Sequence, residues 1–400
     1  MPAGRADSGA GAACALNGRD SGARFRGAYV SRAAGLECAR AVDTPSASIE
    51  SAVANRHRNP VGGYAMRVYR FAAFGLDKLR IENGVSPTPG SGEIVVDVQA
   101  LSLNYRDLMV IKGLYNPRLT MPATPISDAA GVVSAVGAGV AGVKVGDRVM
   151  SHFVSGWIDG PFRQDYLRTT LGTPAAGMAA EQVVLPAEAV LPWPRGYDAM
   201  QAATLPIAAL TAWSALVTVG DVQPGQTVLT LGTGGVSIFA LQLAKAMGLR
   251  VAITSSSDEK LARAKQIGAD CTINYRTTPD WERAVLEFTG GEGVDVTVET
   301  AGPGTLDRSL KATRAGGKIG LLGALTGRQG EITTGLVLMK RLQIHGIMVD
   351  SRAAFAAMAR FVERKGIEPV ISERFGFEDL PAAFQCMERG GHFGKIVVTL

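Results

Sequence analysis

The run Gly232-Thr233-Gly234-Gly235 is the first feature of this sequence that suggests chemistry. Glycines let a backbone turn tightly and come close to a pyrophosphate, whose charge then lies on the free amides of a following helix. The third glycine of the pattern G-x-G-x-x-G is here Ser237, which is small enough for close strand–helix packing. The pattern favours a dinucleotide site formed by these four residues and Val236. The alternative is an ordinary glycine-rich turn.

Residues on both sides of the turn have the periodicity that such a site requires. Val228–Leu231 is an apolar run typical of a buried strand, and apolar residues recur at helical spacing after Gly235. Further strand and helix patterns alternate as far as Ile347. This alternation predicts the α/β class, with a doubly wound parallel sheet of the Rossmann type.

The end of the second predicted strand, Arg250–Thr254, indicates which dinucleotide binds. A site selective for NAD usually carries a carboxylate there, about 20 residues after the glycines, for the ribose 2′-hydroxyl. This chain has Ser255 and Ser256 instead, and no carboxylate occurs before Asp258. Hydroxyl groups and the nearby Lys260 can donate to a phosphate, so the sequence predicts NADP(H). The same segment also suits a helix N-cap.

Composition and charge narrow the class of protein. The 400-residue chain is 46% hydrophobic, which allows two or three domains with a sizeable core. In residues 1–65, eight Arg, no Lys and five acidic residues give +3 of the net charge of +5. No basic block indicates a nucleic-acid partner. The four cysteines show no C-x-x-C and no framework spacing, which predicts reduced thiols and a cytoplasmic protein.

Two segments could be mistaken for targeting or membrane sequences. Residues 1–65 are rich in Ala, Gly, Ser and Arg without apolar periodicity, which predicts a disordered N-terminal extension. They lack the apolar core of a signal peptide, their acidic residues argue against a transit peptide, and we favour translation from Met66. The uncharged stretch 199–220 is interrupted by polar residues and Pro206, so a buried helix is predicted and no membrane span.

The rest of the chain contains a series of short motifs, each present once: Asn104–Asp107, Gly131–Gly137, Val145–Val149, Leu210–Trp213, Gly232–Ser237, Ala269–Asp270, Ile273–Tyr275 and His392–Lys395. Together they resemble the medium-chain dehydrogenase/reductase superfamily, from about Met66 to Leu400. The closest resemblance is to its zinc-independent quinone oxidoreductase-like and alcohol dehydrogenase-like branch. It implies a discontinuous GroES-like, β-barrel-type catalytic domain (66–190, returning at 349–400) around a Rossmann NADP-binding domain (191–348). The active site would then lie in the cleft between the two.

Departures from the superfamily concern the metal. Zinc-dependent members carry Cys-His where this chain has Asn104 and Tyr105, and Gly-His-Glu where it has Ile126-Ser127-Asp128. A later Cys ligand falls near Ile207, and the four-Cys lobe of structural zinc is missing. Thiolate and imidazole hold a catalytic Zn²⁺, and amide, hydroxyl and alkyl groups cannot replace them. The sequence therefore predicts no zinc.

Without a metal, a side chain must stabilise the negative charge that hydride transfer places on an oxygen. Tyr115 is the first candidate, because enoyl-thioester reductases of the superfamily carry an active-site Tyr at this place. The alternative is an aromatic residue that only packs on the lobe. Asn104 and Tyr105 are expected to line the cleft floor, and Ser127 is a weaker candidate donor.

Other polar residues near these motifs are given supporting roles. Asp107 and Asp128 match acidic positions of the zinc enzymes and are expected to orient Arg106 or backbone, since ionised carboxylates are poor donors. His152 lies in the irregular segment 151–179, which is expected to form the substrate wall, and is interpreted as a packing residue.

The resemblance also places residues around the cofactor. It implies that Tyr275 packs near the adenosine phosphate, that Lys395 approaches the pyrophosphate or nicotinamide, and that Thr211 faces the nicotinamide. Ala301 and Gly323 would contribute backbone near the ribose and the nicotinamide amide. The sequence thus predicts a metal-free oxidoreductase, a homodimer, that transfers hydride between NADPH and a small quinone, enone or carbonyl compound. The alternatives are an enoyl-thioester reductase and a catalytically idle NADPH-binding protein.

Overall fold

The first half of the chain builds an antiparallel sheet. The computed structural model describes residues 65–400, and the predictions for residues 1–64 lie outside this range. The strands are β1 (Ala65–Arg70), β2 (Arg80–Val85), β3 (Glu93–Ser102), β4 (Asp128–Val136), β5 (Arg148–Ser151), β6 (Gln182–Pro186) and β7 (Val190–Pro192). Helix α1 (Tyr105–Ile111) follows β3 directly. β1 and β2 pair with each other, and the long β3 pairs with both β4 and β6.

A helical stretch, residues 199–218, leads from this sheet into the second half of the chain. It consists of α2 (Ala199–Ala203), a π turn (Leu205–Ala209), α3 (Leu210–Trp213) and a second π turn (Ser214–Thr218). Most of its residues are buried, as predicted for this uncharged segment. Within residues 65–400, no helix combines the length and the apolar character needed to cross a bilayer.

The second half alternates strands and helices. In chain order these are β8 (Thr227–Leu231), α4 (Gly235–Ala246), β9 (Arg250–Ser255), α5 (Asp258–Gln266), β10 (Cys271–Asn274), α6 (Trp281–Phe288), β11 (Val294–Glu299), α7 (Pro303–Ala312), β12 (Thr313–Leu321), α8 (Thr334–Met339) and β13 (Gln343–Gly346). All strand pairs are parallel, in the order β10-β9-β8-β11-β12-β13. This is the doubly wound order of a dinucleotide-binding sheet, which confirms the predicted fold class.

The chain then returns to the antiparallel sheet. Helix α9 (Arg352–Lys365) is followed by β14 (Ile371–Gly376), α10 (Leu380–Arg389) and β15 (Lys395–Thr399). β15 lies between β14 and β3, so the sheet runs β14-β15-β3-β4-β5-β7. Residues almost three hundred positions apart therefore pair in one sheet, for example Val397 with Ser102.

Backbone contacts join the two sheets where β15 begins. The Gly394 amide donates to the Thr233 carbonyl (3.0 Å), and Gly234 and Gly394 form a parallel bridge. The loop before β15 is thereby attached to the turn after β8. The start of α9 is held in a similar way, because the Arg352 amide donates to the Trp157 carbonyl (2.9 Å) of the segment 151–179.

Candidate active site

The glycine turn after β8 leaves open space at the carboxyl edge of the parallel sheet. Gly232 has φ = 75°, a conformation that side chains disfavour, and it starts the turn. A Cβ placed on Gly232 or Gly234 would meet no atom within 4 Å. The amides at the start of α4 have no side-chain cap, and Val236 is half-buried there. Since β8 lies beside β11, where the strand order reverses, this turn fits the pyrophosphate of a dinucleotide.

Glu299, at the end of β11, shapes the neighbouring loop. Its buried carboxylate accepts hydrogen bonds from the amides of Ala301 (2.9 Å) and Gly302 (3.0 Å) and from the Thr305 hydroxyl (2.7 Å). Gly323 follows β12 and packs on this loop so closely that a Cβ there would lie 1.6 Å from the Thr300 carbonyl oxygen. The two strand ends therefore form one wall at the place where the sequence predicts the cofactor.

The end of β9 carries the hydroxyls that the sequence assigned to a phosphate. Ser255 is buried and Ser256 half-buried. One carboxylate oxygen of Asp258 accepts a hydrogen bond from the side-chain amide of Asn274 (2.7 Å). The Lys260 ammonium donates to the Gly390 carbonyl (2.7 Å), and burial lowers the pKa of Lys260. The cation of this region therefore lies against the loop before β15.

His392 is a residue of this region to which sequence reasoning assigned no role. It is largely buried, its Nδ1 has no hydrogen-bond partner, and burial together with the charges of Lys260 and Lys395 lowers its pKa to about 4. The ring is therefore neutral near pH 7. The position was visible in the sequence only as part of the motif His392–Lys395, three residues before the strand that carries Lys395.

A buried polar cluster lies beside the glycine turn, on the catalytic side of the cleft. Its members are Asn104, Arg106, Asp107, Ser127, Asp128 and Lys395. The side-chain amide of Asn104 donates to Asp128 (2.9 Å). The backbone amide of Asn104 donates to the Asp107 carboxylate (2.9 Å) at the start of α1. Ser127 donates to Asp107 at 2.6 Å. The two carboxylates are thus linked through neutral groups.

Lys395 supplies one of the two cations of the cluster. Its ammonium donates to the Leu103 carbonyl and to Asn104 Oδ1, both at 2.7 Å. Burial lowers the pKa of Lys395, and the nearby Asp128 and Asp107 oppose that shift. Burial raises the pKa of both carboxyl groups in turn. The aliphatic part of the Lys395 side chain crosses the glycine turn, because a Cβ on Gly235 would lie 2.6 Å from Lys395 Cδ.

Arg106 is the second cation, and it meets mostly neutral partners. Its Nη1 donates to the Ser127 hydroxyl and to the Leu171 carbonyl, and Nη2 donates to the Thr173 carbonyl (2.8 Å). The nearest Asp107 oxygen is 3.8 Å away. The rings of Tyr115 and Phe153 each lie 4.6 Å from the guanidinium carbon. The guanidinium is therefore fixed in one plane.

Comparison with known proteins agrees with this architecture. Residues 90–195 match the model of the alcohol dehydrogenase GroES-like domain, and residues 235–364 match that of zinc-binding dehydrogenases. A zinc-type alcohol dehydrogenase-like protein of Schizosaccharomyces pombe is 40% identical, over 82% of this chain and 96% of its own. The quinone oxidoreductase of Homo sapiens is 28% identical, over 84% of this chain and 97% of its own. The chain belongs to the medium-chain dehydrogenase/reductase superfamily.

Solved structures of the superfamily share the fold. A candidate alcohol dehydrogenase from Sinorhizobium meliloti has a TM-score of 0.79 and 40% identity, covering 84% of this chain and 99% of its own. An NAD-dependent alcohol dehydrogenase has a TM-score of 0.77 and 35% identity, covering 84% and 100%. A mycobacterial protein in complex with NADPH has a TM-score of 0.72 and 26% identity, covering 84% and 100%.

The medium-chain fold often holds a catalytic zinc, and the residues present here do not fit one. Asn104, Ser127 and Ile207 offer no thiolate or imidazole, and the Ile207 amide itself donates to Asp128 (3.3 Å). Among residues 65–400, no group of three or more His, Cys, Asp or Glu side chains could hold a metal. The carboxylates are already balanced by Lys395 and Arg106, so a divalent ion would add uncompensated charge.

The remaining residues that the sequence singled out lie at different depths. Tyr115 is half-buried against Arg106, and Thr211 is buried in α3. Tyr105 and Tyr275 are 45% and 43% exposed, and Tyr105 makes no hydrogen bond to the buried polar cluster. His152 is fully buried, with Nε2 3.0 Å from the Asp350 carbonyl, and burial lowers its pKa to about 4. The structure thus brings together Asn104, Ser127, Tyr115 and Lys395, but not Tyr105.

Proposed function

We propose that this protein is a metal-free, NADP(H)-dependent oxidoreductase that transfers hydride between NADPH and a small quinone, enone or carbonyl compound. The observation that carries the proposal is the buried polar cluster, which joins Lys395, lying against the open glycine turn, to Arg106 through Asn104, Asp107 and Ser127. Bound NADPH would supply the hydride. The chain itself holds the pyrophosphate at α4, excludes water with the buried cluster, and stabilises the charge formed on the substrate.

The experiment that tests this function is a turnover screen. Purified protein is incubated with NADPH and a panel of quinones, enones, aldehydes and enoyl thioesters, and NADPH oxidation is followed at 340 nm. Zinc content is measured on the same sample by elemental analysis. Turnover with less than stoichiometric zinc is expected. Tight NADPH binding without turnover of any compound would instead favour the catalytically idle alternative, and turnover of thioesters alone would favour an enoyl-thioester reductase.

The cofactor preference rests on the end of β9, which carries Ser255 and Ser256 where a site selective for NAD usually carries a carboxylate, and the first carboxylate, Asp258, accepts from the Asn274 side chain. Of the solved relatives, one is described with NADPH and another as NAD-dependent, so the family alone leaves both cofactors open. Ser255, Ser256 and Lys260 are the proposed phosphate donors. Lys260→Ala is expected to weaken NADPH binding roughly tenfold and leave NADH binding unchanged, because only NADPH carries the 2′-phosphate.

Binding constants from nicotinamide fluorescence measure this selectivity. Lys265→Ala, in the last turn of the same helix, is the matched control and should change neither constant. Equal losses for both cofactors, or tighter NADH binding by the unchanged protein, would contradict the assignment.

Tyr115 is the proposed proton donor. A phenol is a neutral donor with a pKa near 10, and this ring lies over Arg106 at the catalytic side of the cleft. Tyr115→Phe keeps the ring against Arg106 and removes the hydroxyl, so kcat is expected to fall roughly 10²-fold while NADPH affinity is kept. Unchanged kcat in steady-state assays would assign the ring a packing role only.

We also propose a cytoplasmic homodimer formed through the edge strand β13. The neighbouring helix α8 exposes Leu338 (75%) and Met339 (81%), two apolar side chains that a partner copy would cover. The molar mass in solution, measured by light scattering, tests this proposal.

A further inference from the structure

Arg106 has hydrogen-bonding capacity that the protein does not use. A guanidinium carries five N–H donors, and three of Arg106's donate to Ser127, Leu171 and Thr173. Its Nε is buried and has no hydrogen-bond partner. A buried donor without an acceptor costs about 1–3 kcal/mol, so such groups call for a functional explanation.

The charge of Arg106 is balanced by a carboxylate that it does not contact through a hydrogen bond, since the nearest Asp107 oxygen lies 3.8 Å away. Its hydrogen-bond acceptors are a hydroxyl and two carbonyls, and Ser127 stands between it and Asp107. The other cation, Lys395, lies close to Asp107 and Asp128. Their negative charges raise its pKa and so oppose the lowering caused by burial. The hydrogen bonds of Arg106 therefore go to neutral groups, and its Nε donor is left for a further negative group.

Contacts around Arg106 place it at the cleft. Tyr115 lies on the guanidinium, and the adjacent Leu114 carbonyl accepts from Arg328, in the loop that follows Gly323 and β12. Asn104, on the other side, is tied through Lys395 to the glycine turn. Arg106 thus lies between two contacts that reach across to the parallel sheet, and its side chain keeps 11% exposure.

We propose that Arg106 is the electrophilic residue of this site and binds the substrate oxygen on which negative charge develops. The inference rests on the proposed function. During reduction, the hydride electron pair forms a C–H bond at the carbonyl carbon or the β-carbon of an enone. Addition at the carbonyl carbon moves the C=O π pair to oxygen and gives an alkoxide. Addition at the β-carbon moves the C=C π pair into a new bond between Cα and the carbonyl carbon and the C=O π pair to oxygen, which gives an enolate. The guanidinium holds the oxygen in either case, and a proton from Tyr115 or water goes to the alkoxide oxygen or to the enolate α-carbon.

This role defines the substrate class more closely. A fixed cation contributes most where charge collects on one oxygen, and less where a substrate disperses it. Aldehydes and ketones, whose hydride adduct is an alkoxide with its charge on one oxygen, therefore fit this arrangement best, and enones and quinones, which spread the charge over an enolate, gain less from it. Ring stacking by Tyr115 and Phe153 keeps the guanidinium in place before the substrate arrives.

The experiment compares Arg106→Gln and Arg106→Lys with the unchanged protein. Arg106→Gln is expected to lower kcat/KM roughly 10²–10³-fold, Arg106→Lys is expected to lose less, and NADPH affinity should be kept by both. Added guanidinium should restore part of the activity of Arg106→Ala. Arg163→Gln is the matched control, since Arg163 also lies on a tyrosine ring, 4.7 Å from Tyr166, but is exposed and paired with Asp165.

A second measurement does not need turnover. The chromophoric enal 4-(dimethylamino)cinnamaldehyde absorbs at longer wavelength when its carbonyl oxygen is polarised, and its spectrum is recorded on the protein with NADP⁺. A red shift in the unchanged protein that disappears in Arg106→Gln supports the inference even if no panel substrate is reduced.

Three results would overturn it. One is a kcat/KM of Arg106→Gln within threefold of the unchanged protein. Another is a red shift that persists in Arg106→Gln. The third is a loss of activity in Arg106→Ala that accompanies a lower melting temperature and resists added guanidinium, which would make Arg106 a structural residue of the turn at Leu171 and Thr173. Absence of turnover in the unchanged protein, by contrast, speaks against the proposed function.

Discussion

Replacing Lys395 with methionine is expected to lower the free energy of unfolding by about 3–5 kcal/mol, the usual cost of leaving a buried charge without its partner. The ammonium lies among the Leu103 carbonyl, Asn104 and the neighbouring Asp128. Methionine fills a similar volume but donates no hydrogen bond. The loss of unfolding free energy therefore measures mainly the interactions of the ammonium group and little of a change in packing. Chemical denaturation followed by fluorescence measures it.

The size of this loss should depend on pH. Burial already raises the pKa of Asp107 and Asp128, and removing the ammonium raises both further. Because each folded pKa then lies above the unfolded value of about 3.9, the unfolded chain gives up its protons first as pH rises. Stability of the variant is therefore lost as pH rises, and the deficit at pH 8 should exceed that at pH 5.

Lys318→Met is the control, because Lys318 is half-buried and donates only to the Gly220 carbonyl. Lys318→Met should lower the free energy of unfolding by less than Lys395→Met does, and its effect should not increase between pH 5 and pH 8. An equal deficit of Lys395→Met at both pH values would mean that the cluster carboxylates do not depend on this cation.

A methyl group at Gly323 is expected to have the second large effect. The Cβ of alanine would lie 1.6 Å from the Thr300 carbonyl oxygen, a backbone atom that cannot rotate away. The ends of β11 and β12 must then separate, at a cost of about 1–3 kcal/mol or more. Since Ala301 and the cofactor wall move with them, NADPH affinity should fall roughly tenfold or more.

Gly346→Ala is the matched control for this substitution. Gly346 ends the neighbouring strand β13, and a Cβ there would meet nothing within 4 Å. Calorimetric titration of NADPH into both variants gives the comparison. Normal affinity in Gly323→Ala would show that the strand ends can separate without disturbing the cofactor site.

Local sequence patterns predicted the parallel sheet because its central strands β8, β9 and β11 are short and mostly buried, and turn residues or helix caps follow them. Several elements without such patterns were missed, and β2 and α8 show why. Strand β2, Arg80–Val85, is largely exposed and alternates poorly, and it forms only because β1 pairs with it along its whole length. Helix α8 contains Gly335 and has no fully buried residue, so no apolar face marks it. In both, tertiary contacts outweigh local propensity.

The candidate site was predicted unevenly for a related reason. Motif spacing located Asn104, Ser127 and Lys395 separately, but the contact between Asn104 and Lys395 spans 291 residues. Expectations for Lys395 concerned the cofactor, whereas the ammonium reaches past the glycine turn into the catalytic lobe. Arg106 was expected to be oriented by acids, and the structure adds two aromatic rings that its sequence neighbours do not reveal.

The position of β15 between β14 and β3 has a consequence for how the chain is made on the ribosome. All six parallel strands, from Thr227 to Gly346, emerge before β15, which is the neighbour of Ala100–Ser102 in β3. The end of β3 at Ala100–Ser102 therefore stays unpaired on that side through the synthesis of the entire nucleotide-binding half, while β6 covers Glu93–Asp97, and such open edges invite association with other chains. Nascent molecules that stop before Lys395 should be the aggregation-prone ones.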